Sequence, residues 1–138
     1  MEDGRGARPC APTIFWPGPT FKMDTQHPEP IELPRVNDGN FDEYHGAPAA
    51  AVFFKIAHCH GCEEYEPAIQ RTVRAFSPKV KFGRALMHIP GCREIKKRYE
   101  FDSFPTTHLY KRGRLVFSAA EPLTADALAN AIREHLIG

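Results

Sequence analysis

Apolar residues in this chain gather into short runs and helical stripes separated by turn-forming residues, and the period of each predicts an element. Ala49-Ala50-Ala51-Val52-Phe53-Phe54 is a continuous apolar run of strand length, the pattern of a strand covered on both faces. Tyr65, Ile69, Val73 and Phe76 recur at helical spacing and predict the buried stripe of a helix running to about Phe76. Pro67 lies inside that stripe, removes one backbone hydrogen bond and is expected to kink the helix after its first turn. Val80 to Met87 predicts a strand, Cys92 to Tyr99 a short charged helix, and Thr106 to Tyr110 another strand. Lys111-Arg112-Gly113-Arg114 then reads as a hairpin turn into Leu115-Val116-Phe117. Thr124 is a plausible cap for a last helix whose Leu128, Ile132 and Leu136 fall at i, i+4 and i+8.

Upstream, Ile31-Glu32-Leu33 alternates like a short strand, and Asn37 to Tyr44 reads as a turn opening into a short helix. The order β-α-β-α-β-α-β-β-α implies an α/β architecture, a mixed central sheet with helices on both faces. Residues 1–30 differ in kind. Pro9, Pro12, Pro17, Pro19, Pro28 and Pro30, with several glycines, favour extended backbone over packed elements, so this segment is expected to be a tail. Ile14, Phe15, Trp16 and Phe21 are unusually apolar for such a tail, and docking onto the domain or a partner is its alternative reading.

The remaining 31–138 is expected to be one domain, since 138 residues with 42% hydrophobic content suffice for one core and not for two. A net charge of +1, with Lys and Arg spread along the chain, gives no basis for nucleic acid or an acidic membrane as partner. No apolar stretch approaches the roughly 18 residues of a membrane helix. The N-terminus lacks the charged start and apolar run of a secretory signal, which points to the cytoplasm.

The chemistry is carried by Cys59-His60-Gly61-Cys62. Two thiols three positions apart at a helix start can close a reversible disulfide. The unpaired N–H groups and the positive dipole end there favour a thiolate at Cys59, and Cys62 can attack a mixed disulfide formed on it. By itself a CxxC reads equally as half a zinc site or as two buried thiols. His58 and His60 flank Cys59, and a protonated imidazole beside it would favour the thiolate; their alternative is as solvated loop residues.

Taken with its surroundings, the chain resembles the thioredoxin superfamily, and the redox-active domain of protein disulfide isomerase more closely than bacterial thioredoxin. The resemblance spans roughly Ile31 to Leu136. It rests on Phe53-Phe54 leading into the CxxC, Pro67 five residues past Cys62, Phe104-Pro105-Thr106 before a strand, and Lys111-Arg112-Gly113 in the hairpin. Asp38-Gly39-Asn40-Phe41-Asp42-Glu43 and Glu121-Pro122-Leu123-Thr124-Ala125-Asp126 add to it. It implies the thioredoxin fold, Cys59 as nucleophile at the exposed helix start, and Cys62 deeper as resolving thiol. It also implies a cis Phe104–Pro105 bond beside the CxxC, leaving the main chain at Phe104, Pro105 and Thr106 to pair with an extended substrate. An ordinary proline at the first residue of a strand is the plainer reading of Pro105.

The chain departs from the family in several places. Phe53 stands six residues before Cys59, where the family usually buries a proton-relaying carboxylate. His58 replaces the usual tryptophan, and histidine occupies the first intervening position of the CxxC instead of the second. Glu63 and Glu64 follow Cys62 where a lysine is common, and Leu123 stands where efficient isomerase domains carry an arginine. These imply turnover slower than that of an efficient isomerase domain.

The expected function is thiol–disulfide exchange with cysteine-containing protein substrates through a mixed disulfide at Cys59, with glutathione or a reductase as redox partner and no cofactor. A thioredoxin-fold module that binds a peptide or partner, with marginal redox activity, is the alternative. Zinc or copper on Cys59, Cys62, His58 and His60 is disfavoured, because consecutive residues at one helix start rarely surround a metal. The resemblance brings in the endoplasmic reticulum lumen as alternative location, should the sequence be a trimmed piece. Cys92 reads as a partly buried thiol, with a third redox thiol as alternative, and Cys10 in the tail could form an intermolecular disulfide. His108 reads as a sheet-face residue.

Overall fold

The structure is a computed structural model that describes residues 30–137, so the expected tail, with Cys10 and its aromatic residues, lies outside the described residues. The elements are α1 (Phe41–His45), β1 (Ala50–Lys55), α2 (His60–Phe76), β2 (Lys81–Leu86), α3 (Arg93–Arg98), β3 (Thr106–Lys111), β4 (Arg114–Ala119) and α4 (Ala125–Ile132). A π-helical turn, Arg133–Ile137, extends α4. The strands form one mixed sheet in the order β2-β1-β3-β4. β1 runs parallel to β2 and antiparallel to β3, and β3 is antiparallel to β4.

β1 is central, and all but its last residue are buried. Its alternating side chains feed two cores, as strand geometry requires. Phe53 joins Tyr65, Ile69 and Val73 of α2 with Leu128 and Ile132 of α4 on one face. Val52 and Phe54 join Phe41 and Tyr44 of α1, Ile95 of α3 and Tyr110 of β3 on the other. Burying each such aromatic or branched side chain contributes roughly 1.5–3 kcal/mol. The expected mixed sheet with helices on both faces is thus present, and the predicted stripes of α2 and α4 are the buried ones.

One predicted element does not form. Ile31-Glu32-Leu33 is not a strand, and the segment meets the sheet only in a bridge of Arg35 to Arg84, two residues further on. The amide of Gln70 engages both backbone groups of Ile31, accepting from its N–H at 2.6 Å and donating to its carbonyl at 2.9 Å. Pro34 has no N–H, so the ladder is limited to Arg84 N–H to the Pro34 carbonyl (2.9 Å) and Val36 N–H to the Arg84 carbonyl (2.8 Å). At this edge Gly83 is required: a Cβ there would run into Val36 Cγ2 and the Tyr44 ring.

α2 continues through Pro67 as a single element to Phe76. The predicted hairpin is a two-residue turn between the paired Lys111 and Arg114, with Arg112 and Gly113 both at positive φ (52° and 84°), the primed geometry that suits strand twist. Thr124 caps α4 as expected, its hydroxyl accepting from Ala127 N–H at 3.0 Å. α3 is capped from elsewhere in the fold. Cys92, its formal cap residue, makes no side-chain cap bond, and the Asp38 carboxylate accepts from the N–H groups of Glu94 (2.9 Å) and Ile95 (3.1 Å).

Candidate active site

The site hangs from the end of β1. Residues 56–58 leave the strand, His58 takes a positive φ of 55°, and Cys59 in extended backbone becomes the N-cap of α2. Cys59 and Cys62 are joined by a disulfide across a Cα separation of 5.2 Å. Cys59 is half-buried and Cys62 is 4% exposed, so an incoming sulfur has access to the first and not the second. The N–H of Cys62 donates to Cys59 Sγ at 3.1 Å, which occupies one of the orphan donors at the helix start.

The second wall arrives from the far side of the sequence. β1 pairs with β3 so that Phe54 lies opposite Thr106, which sets the segment before β3 against the CxxC. The Phe104–Pro105 bond is cis. The Phe104 carbonyl oxygen is 3.7 Å from Cys59 Sγ, and a Cβ on Gly61 would lie 3.2 Å from Pro105 Cδ and 3.5 Å from Pro122 Cγ. Thr106 donates its hydroxyl to the Ser103 carbonyl at 2.6 Å, closing the turn. Cys59, Cys62, Phe104, Pro105 and Thr106 are therefore gathered at one end of two adjacent strands.

The two flanking histidines are placed differently. His60 is exposed and pairs with Glu64 one turn along α2, Nε2 to Oε2 at 3.1 Å. His58 is exposed and lines a depression of about 260 Å3 with the two cysteines, Leu86 and His88. Spacing in the sequence gave His88 no role. Its approach to the disulfide follows from the parallel pairing of Lys55 with Leu86, which no local signal encodes.

Lys55 at the end of β1 and Glu63 of α2 bring both signs of charge to the depression at the disulfide, whereas Phe53, further back on β1, packs among apolar side chains. Phe53 is 2% exposed, meets Tyr65 edge-on at 5.8 Å and stacks over Phe82 at 6.3 Å. The Tyr65 hydroxyl shares a 2.7 Å hydrogen bond with Thr107 Oγ1, and burial raises its pKa well above the usual phenol value. Glu66 of α2 accepts from Arg84 Nη2 at 2.6 Å and Gln70 Nε2 at 3.0 Å. Leu123 is half-buried against the core and shares a cavity with Glu64 and Pro67 of α2.

Cys92 is a different kind of thiol. It is 3% exposed, unpaired, and close to the carbonyls of Val36 (3.8 Å) and Leu86 (3.9 Å). Burial, and then the Asp38 carboxylate, push its pKa up and keep it protonated, as in an inert structural thiol. His108, on β3, is 2% exposed, shares a 2.7 Å hydrogen bond with the Tyr110 hydroxyl, and is held neutral by burial, its pKa lowered to about 4. Among the described residues, no three His, Cys, Asp or Glu side chains are grouped to hold a metal, and no helix is long and apolar enough to cross a membrane.

A search of curated proteins finds no significant match. Among solved structures, the chain is similar to mitochondrial thioredoxin 3 of Saccharomyces cerevisiae in its oxidized form, at 21% identity and TM-score 0.63, covering 74% of this chain and 94% of that one. Chlamydomonas reinhardtii thioredoxin f2 superposes with TM-score 0.66 at 20% identity, over 75% of this chain and 96% of that one. A third similar chain comes from work on the thiol resolving mechanism in yeast mitochondrial 1-Cys peroxiredoxin via glutathione/thioredoxin systems. It has 19% identity and TM-score 0.65, with coverage of 75% and 95%. At these identities the likeness establishes the thioredoxin fold. The thioredoxin family model matches residues 32–134, which include the CxxC and the cis-proline turn, and the chain belongs to the thioredoxin family.

Proposed function

We propose that this protein is a thiol–disulfide oxidoreductase that acts on cysteine-containing proteins through a mixed disulfide at Cys59. The observation that carries the reading is the asymmetry of the disulfide: a half-buried Cys59 with a backbone N–H on its sulfur, above a buried Cys62. In the reduced protein the Cys59 thiolate attacks a substrate disulfide, forming the mixed disulfide and releasing one substrate sulfur as thiolate, which takes up a proton. The Cys62 sulfur, losing its proton, then attacks Cys59 Sγ and releases the second substrate sulfur. Two electrons pass to the substrate, and the oxidised protein requires glutathione or a protein reductase to regenerate its dithiol. The reverse sequence oxidises a substrate. Which direction prevails depends on the reduction potential relative to the partner pool, where about 30 mV is a tenfold change in equilibrium. Kinship with disulfide isomerases rests on the sequence motifs alone.

A binding module with marginal redox activity is the second reading. It is favoured by the Phe53–Tyr65–Phe82 packing where the family carries a relay carboxylate. One experiment separates the two: equilibrate the protein in glutathione buffers of graded poise and follow the thiol state by mass spectrometry. The expected result is a reversible two-electron transition that is lost in Cys59→Ser. No transition at any poise would leave the binding module as the reading.

A further inference from the structure

Three stacked rings lead from the interior to the disulfide. Phe104 stacks on Phe101 (centroids 5.9 Å apart, planes at 15°), and Phe101 stacks on His108 (5.6 Å, 17°). Burial deepens along this column, since Phe104 and Phe101 are half-buried and His108 is 2% exposed. The root of the column is enclosed. Phe54 of β1 and Tyr99 at the end of α3 meet the imidazole edge-on at 4.8 and 4.9 Å, and the 2.7 Å hydrogen bond between Nδ1 and the Tyr110 hydroxyl sets the rotation of its plane. The top of the column is the residue whose carbonyl oxygen lies 3.7 Å from Cys59 Sγ. The same turn is fastened to the residue after β4, Ser103 Oγ donating to the Ala120 carbonyl at 2.7 Å, so this bond and the column hold it at two points.

We propose that His108, acting through Phe101, is a positioning residue for thiol–disulfide exchange: the ring column holds the main chain at Phe104 at a set distance from Cys59, so that an extended substrate lies beside the sulfur in line for attack. The proposal rests on the oxidoreductase reading. A ring buried in a close-packed interior has little room to shift, and stacked rings pass that restraint to the next one along. The side chain nearest the reaction is thus locked by packing that begins in the core. The benefit is orientation, and a misplacement of about 1 Å at a reacting centre can lower its rate by up to about a hundredfold. What the column needs from position 108 is a flat ring; the imidazole supplies one whose plane the Tyr110 hydroxyl fixes.

The test compares two symmetric disulfides: a short extended peptide dimerised through its one cysteine, and bis(2-hydroxyethyl) disulfide, which has no chain to lie along Phe104. Reduced protein is mixed with each, and the ratio of the two second-order rate constants is taken within each protein, which cancels any general loss of folded material or of thiolate. In His108→Leu the ratio of peptide to small disulfide is expected to fall by roughly three- to tenfold. In His108→Phe, which restores a ring, it is expected to stay close to wild type. Should His108→Leu fail to fold, His108→Met asks the same question, because its flexible chain fills the space without a ring. A ratio unchanged by removing the ring, or one that falls equally in His108→Phe, would overturn the proposal. If the wild type reacts with neither disulfide, the oxidoreductase reading fails. The same peptide with serine in place of cysteine, titrated against the oxidised proteins, then judges the column by binding alone: weaker binding in His108→Leu than in wild type and His108→Phe supports it, and equal binding refutes it.

Discussion

Phe53 and Leu123, the two apolar residues that the resemblance set against charged positions, both pack against the α2–α4 core. β1 carries no carboxylate that could assist proton transfer to and from the buried Cys62, and the charge it brings to the depression at the disulfide is Lys55. Supplying charge from the other side is therefore informative. Leu123→Arg, at a half-buried position beside the first turns of α2, is expected to accelerate oxidation of the dithiol, because a nearby cation favours the Cys62 thiolate. Stopped-flow oxidation rates identical to wild type would count against this account. At this scale the sequence was legible in the spacing of Cys59 and Cys62, which predicts the disulfide that joins them. It was silent where the role depends on who arrives from another element: His88 beside His58, or Glu64 on His60.

The elements were read well where hydrophobic period and length agreed, as in β1, α2 and α4, and poorly where backbone partners came from side chains. Ile31-Glu32-Leu33 has the alternation of a strand, but Gln70, 39 positions away, takes the Ile31 backbone, and Pro34 interrupts the ladder. α3 shows the same limit. Its cap is Asp38, 56 and 57 positions before the N–H groups it accepts from, a pairing that only the folded chain creates. Removing it makes a measurable prediction. Asp38→Ala should cost about 0.5–2 kcal/mol in urea unfolding, the usual range for losing an N-cap. It should also lower the Cys92 pKa, because the Asp38 carboxylate raises it. An unchanged unfolding midpoint would show that water replaces the cap without loss.

Across the whole molecule, the sheet separates two aromatic interiors, and the one beneath α1 and α3 encloses a titratable ring. His108 meets Phe54, Tyr99, Phe101 and Tyr110, with centroids 4.8 to 5.6 Å away. Its folded pKa of about 4 lies below the ordinary 6.5, so between those values the unfolded chain binds a proton that the folded chain refuses. Stability is then intact above pH 6.5, declines as pH falls through the window, and stops declining from this cause below about 4. Between pH 7 and pH 5 the loss assigned to His108 is about 2 kcal/mol. Denaturant curves at both pH values should show it, and His108→Phe should remove most of the difference; an equal slope in the variant would assign the effect to other groups. The mixed architecture was legible in the order of apolar runs, and the meeting of Cys59 with Phe104 was not, since 45 positions separate them and only family resemblance anticipated the cis turn.

That meeting makes strand alignment a functional quantity. The disulfide continues from the end of β1 and the proline turn precedes the start of β3, so the pairing of Phe54 with Thr106 determines whether sulfur and carbonyl face each other. A slip of one residue would exchange the two faces of β1 and carry the turn about 3.3 Å along the strand. Every residue of the candidate site would survive such an error, and the site itself would not.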